Sequence, residues 1–208
     1  MFTLKGVYFT HAASHAYRQA AGLSNGVNNG KPDVRIADVM LAREDGLYFI
    51  TARGKPYYKQ VKDNQRIAVC AMDKNYVSVR VTGDIRFCKD RNIVDKIFKH
   101  NPIMNGLYPG EKKNILEAFH MYRGKGEVFD LSVEPPRRDR FAFGGETINP
   151  PGYSITEKCT ACGQCFESCP VGVISQGEVY MINGSSCLEC GRCAEICPED
   201  AVMPSKGM

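Results

Sequence analysis

The sequence predicts a mainly β domain of barrel type with short helices, followed by a small α+β module made by duplication. Three observations predict it. From Lys31 to Val133 the chain is a succession of short β-rich runs broken by charged or glycine-containing turns. Eight of the ten cysteines fall between Cys159 and Cys197, in two blocks of identical spacing that start 28 residues apart. The charge divides with them. From Pro151 on, three basic residues face seven acidic ones, which leaves the tail at −4 and the first 150 residues at +8. A chain of 208 residues has room for one good core and a small module held together by other means.

Taken in order, the stretch Ala12 to Ala21 fits a helix but its alanine and histidine pattern is ambiguous. DVRIADVML, GLYFIT, RIAVCAM, YVSVRVTGDIRFC and MYRGKGEVFDL read as strands. DRNIVDKIFKH predicts a helix: Asp90 supplies a cap, Ile93, Val94 and Ile97 share one side, and Asn101-Pro102 stops it. EKKNILEAF, after the Pro109-Gly110 turn, predicts a second, shorter one. Strands with short helical insertions favour a small closed or partly closed barrel over a doubly wound sheet. The chain has no G-x-G-x-x-G phosphate loop, so a dinucleotide-binding fold is a poor fit. The domains expected are 1–133 and 153–208. The connector 134–152 is restrained by Pro135, Pro136, Pro150 and Pro151. In it Arg137, Arg138 and Arg140 read as solvated charges, with a grip on the acidic module as the alternative.

Cysteines confined to one stretch exclude a disulfide-laced secreted chain. The N-terminus has no continuous apolar signal segment and no run approaches membrane length, so a cytoplasmic location is expected and a membrane is not. The positive excess has no long basic tract, which argues against nucleic acid. Cys70 and Cys88 sit in apolar strands and are expected to be inert, Cys70 buried; the four histidines show no ligand spacing.

Each cysteine block reads C-x2-C-x2-C-x3-C-P: Cys159, Cys162, Cys165 and Cys169, then Cys187, Cys190, Cys193 and Cys197. Three closely spaced thiolates can wrap one face of an iron–sulfur cube, with the fourth ligand from elsewhere. Zinc is the competing occupant, but structural zinc sites commonly bring cysteines as separated pairs. Pro170 and Pro198 turn the chain after each fourth cysteine, and Gly163 and Gly191 suit close backbone passage. YSI and YMI precede the two runs and VGVI is echoed by DAVM, so the duplication extends beyond the ligands. The spacing resembles bacterial two-cluster ferredoxins. That resemblance implies two [4Fe–4S] clusters, one on Cys159, Cys162, Cys165 and Cys197, the other on Cys169, Cys187, Cys190 and Cys193.

The run from KPDVRIADVML through GLYFITARGKPYYKQVKDNQRIAVCAM to YVSVRVTGDIRF resembles the pyridoxamine phosphate oxidase-like split-barrel flavoproteins, over roughly Gly30 to Leu131. The resemblance implies a homodimer with FMN between subunits. It places Arg35 where the family contacts the flavin phosphate, Thr51 and Ala52 at the end of a cofactor-facing strand, and Lys55 in the turn after it. Lys59 and Gln60 match the short helix, and Arg80 a later contact position. A phosphate needs charge-assisted donors, which two or three of Arg35, Arg53, Lys55 and Lys59 supply on this view. The plain alternatives are a surface Arg35, solvated Arg53 and Lys55, a β-forming Thr51 and an exposed Gln60. Tyr57 and Tyr58 suit flavin stacking or core packing equally. Met40 stands where vitamin-oxidising members carry lysine, and the cysteine module replaces their C-terminal segment. Oxidation of pyridoxamine phosphate is therefore not implied. The same barrel class also hosts deazaflavin or haem.

Together the two parts imply a flavin–iron–sulfur redox protein. The clusters pass single electrons to or from FMN for reduction of a small substrate, with an external donor such as ferredoxin. The alternatives are a non-catalytic relay to a partner protein and a dimerisation module with an attached ferredoxin. No general acid or base is evident.

Overall fold

A computed structural model of the chain describes residues 2–4, 7–9, 22–24 and 33–205; the ambiguous stretch Ala12 to Ala21 and Pro32 lie outside them. Strands β1 (Phe2–Leu4) and β2 (Val7–Phe9) pair with each other, and β3 (Gly22–Ser24), β4 (Val34–Ile36), β5 (Leu41–Arg43) and β6 (Gly46–Ala52) follow. Next come α1 (Pro56–Asn64), β7 (Arg66–Met72), β8 (Val77–Phe87), α2 (Asn92–His100) and α3 (Met104–Leu107). The long β9 (Leu116–Asp130) and β10 (Arg137–Phe143) complete this part. The eight-stranded sheet runs β4-β3-β7-β8-β9-β6-β5, with β10 added on β9. The β3–β4, β3–β7, β5–β6 and β6–β9 pairs are antiparallel. The mainly β architecture with short helices is as expected.

Apolar periodicity explains the core. β7 alternates, burying Ile67, Val69 and Ala71. The same alternation turns Cys70 to the other face, where it is exposed, contrary to the expectation of burial. β6 is buried along most of its length, and Phe49 stacks on Phe119 of β9 with ring centroids 5.2 Å apart. Tyr57 of α1 meets Phe119 edge-on at 6.0 Å, and Phe87 of β8 closes the group at 6.0 Å. α2 buries Ile93, Val94, Ile97 and Phe98 in a cluster with Met40, Tyr48, Leu116 and Ala118. Its cap is one residue displaced: Arg91 is the cap position, and the Asn92 N–H donates to Asp90 Oδ1 at 2.9 Å.

The helix expected over Glu111–Phe119 is half right in place and wrong in kind. Gly110–Ile115 forms a 3₁₀ turn, and from Leu116 the chain is strand, with Leu116 opposite Ala52 and Glu117 opposite Thr51. Leu116, Ala118 and Phe119 are all buried, so pairing with β6 overrides a local pattern that suits a helix. Gly124 and Gly126 of β9 permit close packing: a Cβ would lie 2.6 Å from the Thr82 carbonyl at the first and 2.6 Å from the Arg80 carbonyl at the second. The Phe143 and Phe141 rings lie over these two glycines.

The chain divides into two compact units, Met1–Asp73, Val79–Gly126 and Phe141–Thr147 in one, Lys74–Ser78, Glu127–Arg140 and Ile148–Met208 in the other. The connector expected at 134–152 therefore contains a strand, β10, rather than loop alone. The second unit continues with β11 (Tyr153–Ile155), α4 (Gln164–Glu167), β12 (Ile174–Ser175), β13 (Met181–Ile182), α5 (Arg192–Glu195) and β14 (Val202–Pro204). β11 pairs with β14 and β12 with β13, both antiparallel. The first strand of each repeat thus pairs with the last strand of the other. Neither repeat closes a core alone; Cys165, Ile174, Tyr180, Cys193 and Val202 make one shared cluster.

Candidate functional site

The two cysteine loops repeat each other in backbone angle. Ala161 and Glu189 have φ of 54° and 58°, Gly163 and Gly191 of 85° and 79°, Gly172 and Asp200 of 60° and 48°. These left-handed positions bend the chain so that N–H groups face sulfur. The Ala161, Glu189 and Ala201 N–H groups donate to the Sγ of Cys159, Cys187 and Cys197 at 3.4, 3.3 and 3.3 Å. Gly163 and Gly191 precede α4 and α5, which carry the buried Cys165 and Cys193.

The cysteines line two cavities of about equal size. Cys159, Cys162, Cys165 and Cys197 share the first with Ile155, Tyr180 and Val202. Cys169, Cys187, Cys190 and Cys193 share the second with Tyr153, Ile174 and Ile182. Each cavity takes three cysteines from one run and the fourth from the other. All ten cysteines of the chain are free thiols. Among the described residues no three His, Cys, Asp or Glu side chains converge on a point as ligands of a single ion do. Four soft donors around a volume fit a multi-iron cluster. Burial pushes the Cys165 and Cys187 thiols up and Cys193 up to about 11, so metal charge is needed to hold them as thiolates.

In the first unit the expected cofactor residues fall into three groups. Arg35 lies half-buried, its guanidinium 4.7 Å over the Tyr57 ring and ion-paired to Asp33. Gln60 Nε2 donates to the same Asp33 carboxylate at 2.7 Å. The Gln60 amide, then the Arg35 charge, hold the Asp33 carboxyl below its usual range. Among the described residues, Arg35 Nε, Tyr57 Oη and Gln60 Oε1 are buried without a hydrogen-bond partner. A buried polar atom left unpaired is costly, so this trio fits a polar ligand group.

The second group is the turn between β6 and α1. Thr51 is buried at the end of β6, Ala52 is half-buried, and the Arg53 N–H and Lys55 N–H donate to the Ile115 and Ala52 carbonyls. Arg53 lies 3.4 Å from Glu117, which also accepts from the Tyr58 hydroxyl at 3.0 Å. Lys55 and Lys59 are exposed and carry no ion pair among the described residues. α1 joins the two groups, because Tyr57, Lys59 and Gln60 all stand on it.

Arg80 stands apart. Phe87, at the far end of β8, packs at 5.1 Å from Tyr58, whereas Arg80 is seven residues back, about 23 Å along an extended strand. Asp33 and Glu117, which neutralise Arg35 and Arg53, were missed from sequence. Asp33 carried a readable signal, since residues two apart on a strand share a face. Glu117 carried none, being 64 residues from Arg53.

Among the described residues no helix is long and apolar enough to cross a membrane. Residues 23–125 match the family model of pyridoxamine 5'-phosphate oxidase, and residues 158–201 that of the 4Fe-4S dicluster domain. Over 31 residues the chain is 52% identical to a ferredoxin of Butyribacterium methylotrophicum, a match covering 15% of this chain and 56% of that protein. Its fold is similar to a NimC/NimA family protein from Clostridium acetobutylicum, with TM-score 0.52 and 20% identity over 64% of this chain and 99% of that one. It is also similar to PhzG from Burkholderia lata 383, with TM-score 0.50 and 11% identity over 65% of this chain and 82% of that one. At such identities the two structures establish the fold, a split barrel. A flavin-binding type of barrel joined to an iron–sulfur domain defines the class, a redox protein. The first domain belongs to the pyridoxamine 5'-phosphate oxidase type and the last to the 4Fe-4S dicluster type.

Proposed function

We propose that the chain is a flavin–iron–sulfur oxidoreductase that passes electrons between two [4Fe–4S] clusters and FMN to reduce a small substrate. It works as a cytoplasmic homodimer with an external donor such as ferredoxin. The observation that carries this is the pair of four-cysteine cavities in the same chain as a flavin-type barrel.

Bound in this chain, the clusters supply one-electron transfer and the flavin supplies the link to two-electron chemistry. The chain's part is placement. Cys159, Cys162, Cys165 and Cys197 would hold one cluster, Cys169, Cys187, Cys190 and Cys193 the other. The N–H donors of Ala161, Glu189 and Ala201 draw charge off their sulfurs, which favours the reduced form. Tyr180 and Val202, both buried, exclude water from the first cavity. At the barrel, Arg35 Nε and Tyr57 Oη would donate and Gln60 Oε1 accept, while Lys55 and Lys59 bring charge not spent on any acid among the described residues. Because Asp33 and Glu117 offset Arg35 and Arg53, the two lysines carry most of the attraction for a phosphate.

Anaerobic purification followed by iron, sulfide and flavin assay tests the reading. About eight irons with one extractable FMN per chain supports it. Eight irons with no flavin, or with deazaflavin or haem in its place, refutes the FMN assignment. Turnover of nitro, quinone or disulfide compounds by the reduced protein then separates an enzyme from a relay, and failure across the panel favours the relay.

A further inference from the structure

The cysteine loops match in backbone but differ in charge. The position held by Ala161 in the first loop is Glu189 in the second. Glu189 reaches into an ionic group within the second unit. Its Oε1 accepts from Arg140 Nη2 at 2.6 Å and from the Gly152 N–H at 2.8 Å, and its Oε2 lies 3.4 Å from Arg138 Nη1. Arg138 also pairs with Glu127, and Arg140 Nε stands 3.3 Å from Glu127 Oε2. The side chains of Glu127 and Arg140 are 3% exposed and that of Arg138 is 6% exposed. The Phe129 ring covers the Arg138 guanidinium at 4.2 Å, and Arg140 Nη1 donates to the Asn149 and Pro150 carbonyls at 3.2 Å each.

Two carboxylates and two guanidiniums out of water add little stability over apolar packing of the same volume. They do hold geometry. Glu189 is the member that lies on a cysteine loop, and its own N–H donates to Cys187 Sγ at 3.3 Å. Opposite charges in a low-dielectric surround act strongly on a nearby redox centre, and cluster potentials follow local charge and hydrogen bonds to sulfur.

We propose that Glu127, Arg138, Arg140 and Glu189 form a positioning device for the second cysteine loop alone, so that the two clusters differ in reduction potential. This rests on the two-cluster reading. The Glu189 carboxylate opposes the gain of an electron by the cluster on Cys169, Cys187, Cys190 and Cys193, and the guanidiniums favour it. At the matching position the first loop carries Ala161, and the acidic residue lining its cavity, Glu199, comes from the chain after Cys197 and not from that loop.

The experiment is a potentiometric titration followed by electron paramagnetic resonance on the anaerobically purified full chain, with iron content measured alongside. The wild type should show about eight irons and two midpoints. Glu189→Gln should raise one midpoint and leave the other in place. Arg140→Gln should lower that same midpoint, and Arg140→Lys should return it towards the wild-type value. Shifts of opposite sign from opposite charges are not what a merely loosened loop produces. Should the buried Arg140→Gln lose its iron, Glu189→Gln decides alone, since Gln keeps the shape and Glu189 is 25% exposed. Unmoved midpoints in Glu189→Gln, or both moving together, overturn the proposal. A wild-type protein without two clusters overturns the reading beneath it, and the proposal with it.

Discussion

Replacing Cys165 and Cys197 together by alanine should remove no more iron than replacing either alone. Both line the first cavity, with Cys159 and Cys162, although they belong to different runs. Alanine offers no donor, so either single change should take a chain of about eight irons to about four. The second change then has nothing left to remove, because Cys169, Cys187, Cys190 and Cys193 are intact around the other cavity. Cys165 and Cys169 make the opposite pair: four residues apart in one run, they line different cavities. Their double variant should fall close to zero. Iron and acid-labile sulfide per chain, measured on anaerobically prepared protein, give the counts. The arrangement in which each run wraps its own cluster inverts the order. If Cys165→Ala with Cys169→Ala keeps about four irons while Cys165→Ala with Cys197→Ala keeps none, the crossed assignment is wrong.

Four further outcomes follow from particular contacts. At Gly152, φ is +86° and a Cβ would lie 2.9 Å from Gly184 Cα and 3.0 Å from Cys187 Cβ, so Gly152→Ala should speed loss of one cluster to a chelator. Gly163→Ala, with φ +85° but nothing nearer than the Tyr180 hydroxyl at 4.0 Å, should cost only the left-handed strain of about 1–2 kcal/mol and leave that rate near wild type. Phe119→Ala empties the space between Phe49, Tyr57 and Phe87 and should cost about 3–5 kcal/mol by denaturant unfolding; a loss under about 1 kcal/mol would contradict the core described. His120 is buried, its Nε2 2.7 Å from the Asp45 carbonyl and its ring stacked on Tyr48 at 4.2 Å, and burial holds its pKa below 6.5. The folded value is the lower one, so its contribution is complete above pH 6.5 and is lost as pH falls through the folded value. Melting temperatures across that range should decline less steeply in His120→Gln than in the wild type.

Much of the cysteine module was legible because its information is local. Three thiols within seven residues of chain must lie on one side of whatever they bind, and the repeat of Gly163 at Gly191 signals the same loop twice. α2 was legible from its apolar side, whereas the helix that proved to be α1 was expected only from the family resemblance, around Lys59 and Gln60. Three expectations failed for one reason, that long-range pairing outweighs local pattern. Leu116 to Phe119 joined β6 as strand, Cys70 turned outward with the pleat of β7, and Arg138 and Arg140 left solvent for Glu127 and Glu189. Arg137 alone of that run stayed exposed as a solvated charge. The grip weighed as the alternative is what the other two arginines make.

Sequence by itself determined the donor inventory: eight cysteines in two equal runs, and a basic turn ahead of a short helix. Spacing does this because a few bonded residues cannot separate far. Only the tertiary structure decided how the donors are grouped and which charges remain available. Cys197 reaches the first cavity because β11 pairs with β14, and Asp33 and Glu117 offset arginines that sequence had left free. The Arg140–Glu189 pair spans 49 residues, and no local rule brings such partners together. Burial selects them, since a charge taken from water must find its opposite wherever the fold has placed it.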